Sequence, residues 1–473
     1  MNATELAERA VAWTTQQMRK RAPYSGDNEF LQGPYAPVSD ELTETELRVT
    51  GKLPVEMNGL FARIGPNPIE VANPGSYHWF IGDGMVHGVR LREGKALWYR
   101  NRWIGTNSAN AALGRPALPG KRHGIFDTVN TNVIGHAGRI WAMVEAGPMP
   151  VELDECLESV RHSYFESDAV RSFSAHPHRD PATGDLHAIC YDGMVQNRIS
   201  YVRIGADGRL ARTVDIPVKG GPSVHDCAIT ASKVVVLDLP VTFSGRAAMS
   251  GASFPYRWNP AHAARVGVLP HDGEAADTRW FDVDPCYVFH TANAYDRPDG
   301  GVVVDVVVHS TMFDESMHGP DSKKITFERW TLDPARSDVQ RTVISDRHQE
   351  FPRFDERVAT QPNRYAYTVG TDFGGAGPEP LICYDLEKGT SVVHDYGPNQ
   401  LTAEAVFVPR ANAGAENDGW LVSYVYDLRE GRSDFVIVNA ADISGEAEAI
   451  VHLPGRVPLG FHGNWIADPA LSR

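Results

Sequence analysis

Four histidines stand apart from the others in this 473-residue chain. His176 in "FSAHPHRDP", His225 in "GPSVHDCAIT", His290 in "CYVFHTANAYD" and His462 in "GFHGNW" each lie among small or apolar residues, beside strand-like or tight-turn sequence. Their separations of 49, 65 and 172 residues are too long for a local metal motif, yet about 60 residues suits one elaborated propeller blade. Four neutral imidazoles brought to one point would hold a divalent transition metal, and iron(II), copper and zinc all accept nitrogen donors. Structural zinc would more commonly recruit cysteine, and none is placed with these histidines. Spacing alone leaves other choices open: the chain has 18 histidines, and His178 and His187 lie close enough to His176 to compete with it.

Residues so far apart need a scaffold that returns repeatedly to one axis. Beyond residue 30 the helical period almost vanishes, and β-branched or alternating runs such as "KVVVLDL", "GGVVVDVVVHS" and "WLVSYVYDL" sit between Gly, Pro, Asn and Asp clusters. The chain reads as all-β. Strand, tight polar turn and strand recur in "HGVRLREGKALWYR", "SYVRIGADGRLARTVDI", "LICYDLEKGTSVVHDY" and "FVIVNAADISGEAEAIVHL", as outer strand pairs of propeller blades would. Two tandem β-sandwiches are the competing arrangement; they should be joined by a Pro/Gly/Ser-rich or charged linker near the middle, and none is found. The expected organisation is a helical extension over residues 1–30 and a single propeller domain over 31–473. Two irregular insertions, "NSANAALGRPALPGKRHG" and "VTFSGRAAMSGASFPYRWNPAHAARVGVLPHDG", are candidate walls of a substrate entrance on one face.

A formal net charge of −15 argues against nucleic acid as a partner. Five scattered cysteines without a CxxC fit neither a disulfide framework nor a thiolate metal site, and point to a reducing cytosol. No signal peptide and no run of about 18 apolar residues is present, so a cytoplasmic location is expected. No P-loop, no GxGxxG opening a helix and no GxSxG elbow occurs, which leaves no organic cofactor to expect.

The blocks "NGLFARIGPNP", "YHWFIGDGMVHGVRL", "NTNVIGHAGRIWAMVEAG", "SAHPHRDPATGDLHAI", "VHDCAIT", "FHTANAYD", "EFPRFDER", "EAVFVPR" and "GFHGNW" run in one order from about residue 30 to the end. Together they resemble the carotenoid cleavage oxygenase family. The resemblance implies a seven-bladed β-propeller with one nonheme iron(II) per chain on its axis, under a cap of loops and helices. It implies that His176, His225, His290 and His462 hold the metal, and that Glu145, Glu350 and Glu404 each accept a hydrogen bond from a ligand histidine. That pairing fixes which ring nitrogen faces the metal. It further implies oxygenase chemistry, with O2 as cosubstrate splitting a carbon–carbon double bond into two carbonyl fragments and the alkene supplying the electrons.

Phe80, Trp103, Phe254, Tyr256, Trp258, Phe289, Phe461 and Trp465 are candidates for the apolar substrate tunnel, being aromatic and close to the ligand blocks or in the insertions. Ordinary core packing is the competing role for each. In relatives that cleave stilbenes a lysine precedes the first glutamate and a tyrosine follows the arginine of "YRNR"; here Val144 and Trp103 stand in those places. Both changes favour a carotenoid or apocarotenoid over a hydroxystilbene or other phenylpropanoid. A propeller hydrolase or lactonase using calcium or zinc, and a non-catalytic propeller scaffold, are the alternatives in other classes. A polyene dissolves in membranes, so contact of the 242–270 loop or the N-terminal helix with a membrane surface is expected.

Overall fold

The computed structural model describes residues 14, 17–21, 26, 28–120, 127–163, 165, 167, 172–371 and 380–468. The expected extension over residues 1–30 therefore lies largely outside the described residues. Among those described, seven antiparallel sheets of four or more strands follow one another around a ring, making seven blades. Six carry their innermost strand first: Asn132–His136, His178–Arg179, Cys227–Ile229, Thr291–Asp296, Gln349–Arg353 and the split pair Gln400–Thr402 and Val406–Pro409. Hydrophobic patterning follows position in the blade. Every residue of Val302–His309, second from the axis, is buried, whereas the outer strand Leu210–Pro217 alternates exposed with buried or half-buried side chains.

The turns explain why the hairpins form where they do. Glu93 and Gly94 both have positive φ between Gly84–Arg92 and Lys95–Trp103. Such a two-residue turn has the twist that antiparallel strands need.

Ring closure uses both ends of the described chain. Gly463–Ala467 is the innermost strand of the last blade, paired antiparallel with Gly59–Pro66 so that Gly463 faces Arg63 and Ala467 faces Gly59. Val49–Gly51 forms the outer edge of the preceding blade, against Ala449–His452. The approach to the closing strand is tight: a Cβ on Gly460 would lie 2.7 Å from the Gly65 Cα. Glycine is required there by backbone contact.

The insertion after residue 240 is more regular than its sequence suggests. Val241–Phe243 pairs with Tyr256–Trp258 as a two-stranded ribbon, and a short helix, Gly245–Met249, caps its tip from Ser244. The earlier insertion carries a helix, Asn107–Ala112, capped by Thr106. Among the described residues no helix is long and apolar enough to cross a membrane.

Candidate metal centre and substrate cavity

Each of the four histidines immediately precedes an innermost strand or stands two residues before it. His176 leads into His178–Arg179, His225 into Cys227–Ile229, His290 into Thr291–Asp296 and His462 into Gly463–Ala467. The same end of four inner strands thus points four imidazoles at the axis, and one donor nitrogen from each lies within 4.8 Å of the other three. All four residues are buried. The remaining three blades supply the glutamates, Glu145 just past Arg139–Met143, Glu350 within Gln349–Arg353 and Glu404 between the two inner segments of its blade. One blade, one residue is the rule around the ring.

The glutamates grip the outer side of the rings. His290 donates from Nδ1 to Glu350 Oε2 at 2.6 Å, and His462 from Nδ1 to Glu404 Oε1 at 2.9 Å. Glu145 Oε2 approaches His225 Nδ1 to 2.7 Å without falling in line with its N–H, while Glu145 Oε1 accepts from the Tyr191 hydroxyl at 3.0 Å. Glu350 also accepts from His309 Nε2 and the Phe351 N–H, and Glu404 from Arg353 and the Gly463 N–H.

Burial alone would raise both carboxyls. The His290 charge and the hydrogen bonds from His290 and His309 hold Glu350 below the usual range, and the charges of His462 and Arg353 bring Glu404 to about 2. Burial pushes His462 down to about 4 against the pull of Glu404, and burial among the other imidazoles pushes His176 well down.

This arrangement tests the fit of a metal. With Nδ1–H of His290 and of His462 committed to carboxylates, each Nε2 carries its lone pair inward when its ring is neutral, and the two Nε2 atoms are 3.1 Å apart. His176 and His225 present a second Nε2 pair, also at 3.1 Å. A lone pair on each of two such nitrogens repels unless a proton or a metal ion lies between them; a proton could bridge each pair separately, whereas a single metal ion could accept all four nitrogens at once. The donor set suits a divalent first-row metal, and the buried carboxylates offset its charge.

A fourth carboxylate was not singled out from the sequence, although it is visible beside His225 in "VHDCAIT". Asp226 Oδ2 accepts from the Thr291 N–H at 2.8 Å and its hydroxyl at 3.0 Å, while Oδ1 accepts from His178 Nε2 and the Cys227 N–H, both at 2.7 Å. It ties the segments that carry His176, His225 and His290 to one another.

On one side the cluster closes an apolar cavity. Phe80, Val144, Phe254, Tyr256, Phe289 and Phe461 line it, together with Trp79 and Phe351, which the sequence reading did not include. Phe80 sits at the hub of this wall, with ring centroids 5.4 Å from both Phe254 and Phe461 and 5.9 Å from Phe289. Trp103, Trp258 and Trp465 are not among the lining residues. The Trp103 indole donates to the Asn67 carbonyl at 3.0 Å and stays within its blade. Trp258 ends the ribbon strand, half-buried against the largest core cluster, and Trp465 on the closing strand faces the opposite side of the ring.

Residues 35–467 match the family described as retinal pigment epithelial membrane protein. A carotenoid cleavage oxygenase of Mycobacterium tuberculosis is 43% identical over 93% of this chain and 97% of its own length. The chain belongs to the carotenoid cleavage oxygenase family. A carotenoid 9,10(9',10')-cleavage dioxygenase of Crocus sativus is 30% identical, over 99% of this chain and 94% of its own. Among solved structures, the lignostilbene dioxygenase of Pseudomonas brassicacearum superposes with a TM-score of 0.83 at 27% identity, covering 94% of this chain and 99% of that one. The Synechocystis apocarotenoid oxygenase, at 24% identity and a TM-score of 0.82, shares the fold. Membership makes this chain a dioxygenase-type oxidoreductase.

Proposed function

We propose that this family member uses one iron(II) and O2 to cleave a double bond of a carotenoid or apocarotenoid into two carbonyl products, with His176, His225, His290 and His462 as metal ligands. The observation that carries the reading is the cavity whose apolar aromatic wall ends on inward-facing imidazole nitrogens. Iron bound there would activate dioxygen beside the alkene. The protein's own part is positional: Glu350 and Glu404 keep the proton on Nδ1 of His290 and His462, so that each Nε2 stays available. Phe80, Phe289, Phe351 and Phe461 exclude water and offer a polyene flat, polarisable contact along its length.

Val144 favours the polyene over a hydroxystilbene, because it puts an apolar side chain on the cavity wall where a phenol-binding cation would stand. Trp103 does not contribute to that argument, since it lies outside the cavity. The similarity to a lignostilbene dioxygenase supports the stilbene alternative. Aerobic incubation of iron(II)-loaded protein with β-carotene, an apocarotenal and a hydroxystilbene, with products identified by mass, separates the two. Aldehydes from the stilbene alone would reverse the assignment.

The substrate's insolubility supports a second element of the proposal, contact between the ribbon insertion and a membrane. Met249, at the ribbon's helical tip, is 69% exposed. Flotation with liposomes should carry the protein upward, and no binding by wild type or by a variant lacking residues 1–20 would end this part of the reading.

A further inference from the structure

We propose that a second, polar cavity is the route by which metal reaches and leaves the four histidines; this rests on reading them as a metal centre. Two cavities meet at the cluster. The apolar one touches His225, His290 and His462, and the second touches His176, His290 and His462. The walls of the second include the exposed residues Arg179, Ala206, Asp207 and Glu356, so it is open to solvent.

The physical chemistry separates the two paths. A divalent cation passing the phenylalanines of the apolar side would shed its water with no ligand in exchange, which is prohibitive for a charge. The polar side offers replacements in succession: Asp207 and Glu356 at the exposed end, then Asp226 and Glu404, which are 2% and 3% exposed, beside the histidines. Against these four carboxylates stand Arg179, Arg353, which pairs with Glu356 and Glu404, and the imidazole of His178, which pairs with Asp226, so that even with His178 protonated the carboxylates are in excess by one. The passage is net negative, and a walled negative passage concentrates cations and speeds their arrival.

Its inner end carries a staging point. His178 and Asp226 both line the passage, with His178 Nε2 2.7 Å from Asp226 Oδ1; the Cys227 sulfur, the third donor within 4.8 Å, is buried in the core and not on the wall. His178 stands two residues from His176, and Asp226 adjoins His225 in sequence. A cation released by this pair is therefore next to two of its final ligands.

Exchange of Co(II), followed by its visible absorption on capture and by a chelator in excess on release, tests the route. Cys156 is the one exposed cysteine among the described residues. In a Cys156→Ser background, Asp207→Cys labelled with a bulky maleimide obstructs the cavity mouth, and the unlabelled variant is the control. The label should slow capture and release alike, by about tenfold, the lower end of what such passages contribute to arrival rates. Equilibrium affinity should be unchanged, because a route alters the barrier and not its end states. His178→Ala should slow both rates without any label, and a long-chain detergent filling the apolar cavity should slow neither. The route is overturned if labelled and His178→Ala proteins exchange Co(II) at wild-type rates, or if detergent alone slows exchange. Wild-type protein that takes up no stoichiometric Co(II) overturns the metal reading itself, so the two failures are distinct.

Discussion

Replacing Glu350 by glutamine isolates what a buried carboxylate does for the imidazole it holds. Glu350 is 1% exposed and accepts from His290 at 2.6 Å, from His309 at 2.5 Å and from the Phe351 N–H at 2.7 Å. Glutamine has nearly the same shape, and its oxygen can keep the His290 and Phe351 bonds while its NH2 faces His309. The charge is lost, and with it the carboxylate that favours a cation at His290 Nε2. Losing a partner of this kind weakens metal binding about 10- to 100-fold, which is about 1.4–2.7 kcal/mol. Equilibrium dialysis of Co(II) or iron(II) against a competing chelator measures the affinity, and thermal melting of the metal-free protein measures the cost to the fold. Asp305→Asn is the control, since Asp305 is equally buried but pairs with Arg329 at 2.8 Å within its own blade. It should lower the melting temperature and leave metal affinity alone. Wild-type affinity in Glu350→Gln, or equal losses of affinity in both variants, would refute the argument.

His225→Ala should lose stoichiometric metal and all alkene cleavage while keeping the β-sheet circular dichroism of the wild type. Gly460→Ala forces a methyl group against the Gly65 backbone; we expect a loss of about 1–3 kcal/mol in chemical denaturation and weaker metal retention through His462. Deleting the chain from Gly460 onward removes both His462 and the ring-closing strand, so the expected product is an unfolded or aggregated chain, read by size-exclusion chromatography. Val144→Lys places an ammonium on the apolar wall. KM for a β-carotene-type substrate should rise by about tenfold or more, from the desolvation of one polar group, with metal content unchanged.

The axial residues were legible in the sequence because each of the four histidines sits in a short block at the start of a strand, and the order of those blocks marks the family. Pairings between blades were not legible. Glu350 and His290 are 60 residues apart and Glu404 and His462 are 58 apart, and nothing local says which glutamate meets which ring. The cavity wall was legible only in part. Phe80, Phe254 and Phe461 could be chosen for lying near ligand blocks or insertions, but nearness in sequence does not give a side chain's direction. Trp465 is three residues from His462, yet it lines the polar side of the ring, whereas Trp79 and Phe351 reach the apolar side. Asp226 was passed over because its role depends on Thr291 of the next blade, a contact that exists only once the ring is assembled.

The closing strand carries a thermodynamic consequence. Gly59 and Ala467 pair across 408 residues, and joining chain segments so far apart costs about 5 kcal/mol in loop entropy. His462 sits at the start of that strand, while the other three histidines belong to blades built from the interior of the chain. A metal held by all four would fasten the seam as a clasp fastens a bracelet. Its binding energy would then oppose opening of the ring at the one junction where the two ends of the fold meet. Metal-free protein should accordingly open first along Gly463–Ala467, where protease nicking and hydrogen exchange would show it.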